Sequence, residues 1–170
     1  MKKQLLHSGW QLTTVGKNDT IPAIVPGSVY NDLLNAGRME DPYWRDNEMK
    51  ALALMDEDYR YNTTFDVNAD VLNSERVLLR CEGLDTIADI VLNGEKIASV
   101  CNMHRTWEFD VKDSLKTTGN TLEIVFHSPT KYIKEQDKIC HAGGSGDAMV
   151  GFPNLRKAHC MFGWDWGPRL

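Results

Sequence analysis

The chain has 170 residues, 42% of them hydrophobic, and a formal net charge of −5. That is enough polypeptide to bury one sizeable core, and the negative balance removes the electrostatic basis for binding nucleic acid or an anionic membrane surface. No apolar run approaches the ~20 residues of a membrane-spanning helix, the Met1–His7 start lacks the apolar stretch of a signal peptide, and the cysteines at 81, 101, 140 and 160 are too widely spaced for a disulfide scaffold, so reduced thiols in a cytoplasmic protein are expected.

In chain order, Pro26-Gly27-Ser28 leads into Val29–Ala36, a predicted helix of about two turns with Ser28 as N-cap and Gly37 as its stop. Arg45–Leu54 reads as a second short helix, and Asp56-Glu57-Asp58 as a solvated acidic loop. From Tyr59 the dominant period is two: Tyr59, Tyr61, Thr63, Phe65 and Val67 face one way, while Arg60, Asn62, Thr64 and Asp66 face the other. Val77–Cys81 and Ile87–Leu92 are shorter, more continuously apolar strands. Asn93-Gly94 joins Ile87–Leu92 to Glu95–Val100 as a two-residue hairpin. Trp107–Val111 alternates again, and Gly119-Asn120 turns the chain into Thr121–Phe126. Short strands separated by turn chemistry predict an all-β chain, an antiparallel β-sandwich or jelly roll with one or two short helices. Beyond Ser128 the pattern fades. Lys131–Cys140 is polar and mixed, and four of the eleven residues in 141–151 are glycine. Residues 129–170 are therefore expected to form a loop-rich extension of a single domain spanning 1–170.

That extension ends on Phe162-Gly163-Trp164-Asp165-Trp166-Gly167-Pro168. Two indoles offer flat faces to the C–H surface of a sugar, and a carboxylate between them accepts from neighbouring hydroxyls. Glycines and proline fix such a segment as a turn. The same string also suits a buried aromatic turn that packs a core. Other constellations are weaker. Cys140-His141 and His159-Cys160 carry zinc-type ligands without finger or ribbon spacing, so no metal site is expected. Gly143-Gly144-Ser145-Gly146 lacks the second glycine and the strand-to-helix context of a nucleophile elbow. His104-Arg105 beside Trp107 reads as a turn before a core strand.

The chain resembles the N-terminal domain of the β-mannosidases of glycoside hydrolase family 2. The matching segments run in order: Val25-Pro26-Gly27-Ser28-Val29, Ala36-Gly37, Asp41-Pro42-Tyr43-Trp44 with Asn47-Glu48, Gly83-Leu84-Asp85-Thr86-Ile87-Ala88, Leu92-Asn93-Gly94, Met103-His104-Arg105, Phe109-Asp110-Val111, Ser128-Pro129, Arg156-Lys157 and Phe162–Pro168. The resemblance implies a galactose-binding-like jelly roll within a longer enzyme, packed on immunoglobulin-like and (β/α)8 domains. The barrel of such enzymes carries the two catalytic glutamates. Retaining glycosidases need two carboxyl groups about 5–5.5 Å apart, and no pair here is a candidate, so no catalytic residue is assigned and the 170-residue piece is expected to be inert alone. The resemblance places Asp165 at the hydroxyls of a terminal β-mannoside, with Trp164 and Trp166 as pocket wall or support, and implies no cofactor. Two further readings remain open: a family 2 relative of β-galactosidase or β-glucuronidase type, and a non-catalytic carbohydrate-binding module.

Overall fold

The computed structural model describes residues 2–144, 149–163 and 167. Eight strands and four helices follow in chain order: β1 Gln11–Thr14, β2 Thr20–Pro22, α1 Val29–Asn35, α2 Asn47–Leu54, β3 Tyr59–Phe65, α3 Ala69–Leu72, β4 Leu78–Cys81, β5 Ile87–Leu92, β6 Glu95–Cys101, β7 Trp107–Asp110, β8 Asn120–Phe126 and α4 Pro129–Ile139. Six strands form one sheet in the order β2-β1-β3-β8-β5-β6, and β4 pairs with β7 in a second, smaller sheet. Every strand pair is antiparallel, as the alternation predicts.

The large sheet is built on one cross-strand row. Ile21 lies opposite Leu12, Leu12 opposite Tyr61, Tyr61 opposite Ile124, Ile124 opposite Ile90, and Ile90 opposite Ala98. Directly opposed residues share a face, so this row crosses all six strands on the core side. Cys81 of β4 belongs to the same core, and Leu79, Trp107 and Phe109 of the small sheet pack against it. Burying each large apolar side chain contributes about 1.5–3 kcal/mol, and a one-residue slip of any strand would turn its share outward.

Local chemistry sets the connections. Asn93 and Gly94 adopt φ of 53° and 85°, the left-handed pair that a two-residue turn between twisted strands requires. Ser28 caps α1, its hydroxyl accepting from Asn31 N at 3.3 Å. At the other end Gly37 N donates to Leu34 O and Arg38 N to Leu33 O, with Gly37 at φ 66°, a complete Schellman stop. Asp32 of α1 is buried and accepts from Tyr61 Oη at 2.8 Å and from Ile24 N at 3.0 Å. This ties the helix and the loop before it to the central sheet.

The β1–β2 hairpin adds to the strands predicted: it has no alternating signature, because Leu12 and Thr13 are both buried on a four-residue strand. Residues 129–139 form α4 rather than a loop, giving four helices instead of one or two. Ser128 Oγ accepts from Lys131 N at 3.2 Å and Pro129 occupies the first turn, where a missing N–H costs nothing. The acidic run is a partly exposed loop, as expected, but its carboxylates are also engaged. Asp58 accepts from Ser128 N at 2.9 Å, Thr130 Oγ1 donates to Asp56 at 2.5 Å, and Glu57 pairs with Lys17 at 2.8 Å. Two of the three carboxylates thus hold the start of α4.

Candidate functional site

The expected sugar contacts Trp164, Asp165 and Trp166 lie outside the described residues, so the site is built from the stem that carries them. α4 lays Ile133 against the sheet side of this stem, where it forms a small core with Leu155 and Phe162, all three at most 4% exposed. Phe152 completes it, 5.6 Å from the Phe162 ring and 4.9 Å from the His159 ring. Two short 3-10 turns, Phe152–Asn154 and His159–Phe162, place these side chains. Gly151 permits the approach: at φ 80°, a Cβ there would stand 2.7 Å from Ile133 Cγ2.

Two further ties fix the stem. Asn102 and Arg156 form an isolated parallel bridge, with Met103 N donating to Arg156 O at 3.0 Å. Lys157 Nζ pairs with Asp85, both side chains less than a quarter exposed. Asp85 belongs to the Gly83–Thr86 loop before β5, so the Arg156-Lys157 pair singled out in the sequence fixes the stem at two places, Arg156 through its backbone at Asn102-Met103 and Lys157 through its charge at Asp85. Arg105 stacks 4.5 Å from the Trp107 ring centroid and His104 N donates to Asn102 Oδ1 at 2.9 Å, which makes that segment the turn expected.

Beside the stem, a cleft of about 320 Å³ opens on the core face of the six-stranded sheet. Its floor includes Trp10, Tyr59, Tyr61 and Phe126, and Met161 and Phe162 stand on its wall. Three lining carboxylates are each ion-paired: Glu57 with Lys17 at 2.8 Å, Glu82 with Arg80 at 2.7 Å, and Asp85 with Lys157. Burial pushes the Tyr59 hydroxyl up to about 12. Burial, then the Asp32 carboxylate, push that of Tyr61 up as well, so both stay neutral donors.

At the rim, His127 lies between two carboxylates, Nδ1 3.3 Å from Asp58 and Nε2 3.1 Å from Asp89. No sequence motif marks this cluster, whose members are 38 and 69 residues apart. Partial burial pushes Asp89 up, yet hydrogen bonds from Lys96, Ser99 and His127 outweigh it and hold the group at about 2. The residues once weighed as zinc ligands go elsewhere: His141 bonds Asp137 at 3.0 Å and His159 packs on Phe152. Ser145 lies outside the described residues.

The model of the family described as glycosyl hydrolase 2 galactose-binding domain-like matches residues 10–170. The β-mannosidase of Bos taurus is 31% identical over 173 residues, covering 96% of this chain and 19% of the relative. β-Mannosidase A of Emericella nidulans is 36% identical over 169 residues, covering 94% of this chain and 17% of the relative. The crystal structure of a β-D-mannosidase from Dictyoglomus thermophilum superimposes with a TM-score of 0.90 at 38% identity, covering 97% of this chain and 20% of that one. The chain thus spans about a fifth of the length of the relatives it matches. With its antiparallel sheets, short helices and matched segment in agreement, the chain belongs to the galactose-binding-like domain family of glycosyl hydrolase 2.

Proposed function

We propose that this chain is the sandwich domain of a retaining exo-β-mannosidase, which hydrolyses terminal non-reducing β-D-mannose. In this reading the Trp164-Asp165-Trp166 loop forms one wall of the sugar pocket, and the two catalytic carboxylates come from another domain of the parent protein. The observation that carries it is identity with β-mannosidases of 31–38% across 94–97% of this chain, with a family match that extends to residue 170. The anchored stem supports it, because a loop that must meet a substrate needs a rigid base.

Asp165 accepts from sugar hydroxyls, and Trp164 and Trp166 supply the apolar faces. A charge-assisted bond that tightens in an oxocarbenium-like transition state lowers the barrier as well as orienting the ring. Mannose differs from glucose at carbon 2, so an acceptor held there also selects the substrate.

Two measurements test the reading. This 170-residue chain should release only background chromophore from an aryl β-mannoside. In the full-length parent, Asp165→Asn should lower kcat/KM for β-mannosides by roughly two to four orders of magnitude at unchanged melting temperature, the loss of a contact worth about 3–5 kcal/mol in the transition state. Near-normal kinetics on folded variant, or a parent that prefers a β-galactoside or β-glucuronide, would overturn it.

A further inference from the structure

The turn before α2 carries exposed aromatic surface that the stem does not involve. Tyr43 and Trp44 are adjacent there, 73% and 62% exposed. Single exposed apolar residues are ordinary, but neighbouring large aromatics open to water mark a contact surface.

The turn is rigid. Asp41 Oδ1 accepts from Tyr43 N at 2.9 Å, and its backbone carbonyl accepts from Trp44 N at 3.1 Å and from Asn47 Nδ2 at 3.0 Å. Asn47 N in turn donates to Trp44 O at 3.2 Å. Arg45 is held at φ 55°, a left-handed backbone disfavoured for a residue with a Cβ, and its guanidinium lies 5.4 Å from the Trp44 ring centroid. Met49, 61% exposed, adds apolar surface in the first turn of α2. Trp, Tyr and Arg are the residue types that dominate protein–protein contacts. A turn already fixed by its own hydrogen bonds loses little entropy on docking.

We propose that Tyr43, Trp44 and Arg45 form the surface by which this domain docks onto the remainder of its parent polypeptide. The inference rests on the reading of the chain as one domain of a longer β-mannosidase. Relatives that align with 96% of this chain use only 19% of their own length to do so, which leaves most of such a protein to supply the opposing surface.

Hydroxyl-radical footprinting of the full-length parent and of this chain, at equal concentration, reads the surface directly. Tyr43 and Trp44 should oxidise about tenfold more slowly in the parent, as expected of anchors that are fully desolvated. In the parent, Trp44→Ala should raise the oxidation rate of Tyr43, while in this chain it should leave both that rate and the melting temperature unchanged. Equal oxidation of Trp44 in parent and chain would overturn the proposal. So would protection in the chain alone that grows with its concentration, which assigns the surface to a second copy, or protection that appears only on adding a β-1,4-mannotriose, which assigns it to sugar. Turnover is read separately on the same parent. A parent that shields Trp44 but cleaves a different β-glycoside keeps the docking surface and loses the mannosidase reading.

Discussion

Replacing Phe162 by alanine asks whether the small core of Ile133, Leu155 and Phe162 is what holds residues 149–163 in place. Phe162 is 4% exposed, shares its cluster with Ile133 and Leu155, and lies 5.6 Å from Phe152. Truncating a buried phenylalanine costs about 3–5 kcal/mol, part lost transfer energy and part the cavity left behind. This cluster is separate from the core of the six-stranded sheet, so the loss falls on local opening of the stem. With tenfold for every ~1.4 kcal/mol, local opening should rise by roughly two to three and a half orders of magnitude. Hydrogen exchange followed by mass spectrometry separates the outcomes. Peptides spanning 149–163 should exchange at least about a hundredfold faster, while those from β8 change by less than about twofold. Unchanged protection over 149–163 would refute the anchoring role, and equal acceleration in both regions would show that the cluster is not an independent unit.

Asn120 is fully buried, its Oδ1 accepting from Lys116 N at 2.8 Å and Asn93 Nδ2 at 3.0 Å, and its Nδ2 donating to Lys116 O at 2.7 Å. Asn120→Ala strands these partners and should cost about 2–4 kcal/mol, seen as a lower urea midpoint with an unchanged slope. For Asp89, a folded-state value of about 2 against an ordinary 3.8 means that its stabilisation is fully present above pH 3.8 and is lost as pH falls through about 2. Asp89→Asn should therefore melt below wild type at about pH 5, with the gap closing towards pH 2; a gap independent of pH would refute the network as the cause.

The strands were legible because one face of each is buried. Tyr59, Tyr61 and Thr63 are inward and Arg60 and Thr64 outward, the period the sequence displays. The Asn93-Gly94 turn was legible for a different reason, since only a few residues accept its backbone. Helix α4 was obscured by its own composition: Thr130 and Ile133 are its only buried residues, and Ile139 is 79% exposed. Its signal lay instead in Ser128-Pro129, an N-cap followed by a first-turn proline. At the candidate site Trp164-Asp165-Trp166 lie outside the described residues, and the ties that fix the stem before them are tertiary. Lys157 and Asp85 are 72 residues apart, and no local pattern pairs a lysine with one aspartate among many. Asp58 and Ser128, 70 apart, are the same kind of contact.

The position of β8 has a consequence for how the molecule assembles. It is the last strand among the described residues, yet it sits between β3 and β5 in the middle of the large sheet. Until residues 120–126 are in place, the polypeptide holds two separate strand groups, β2-β1-β3 and β5-β6, each with an unpaired inner edge. Closing the sheet joins Tyr59 to Phe126, across a separation that makes the step slow relative to forming either hairpin. During that interval the edges of β3 and β5 are templates for any passing strand, including that of another nascent chain. Arrival of β8 removes both hazards in one event, and the cooperative unit of this fold is therefore a single late strand acting as a keystone.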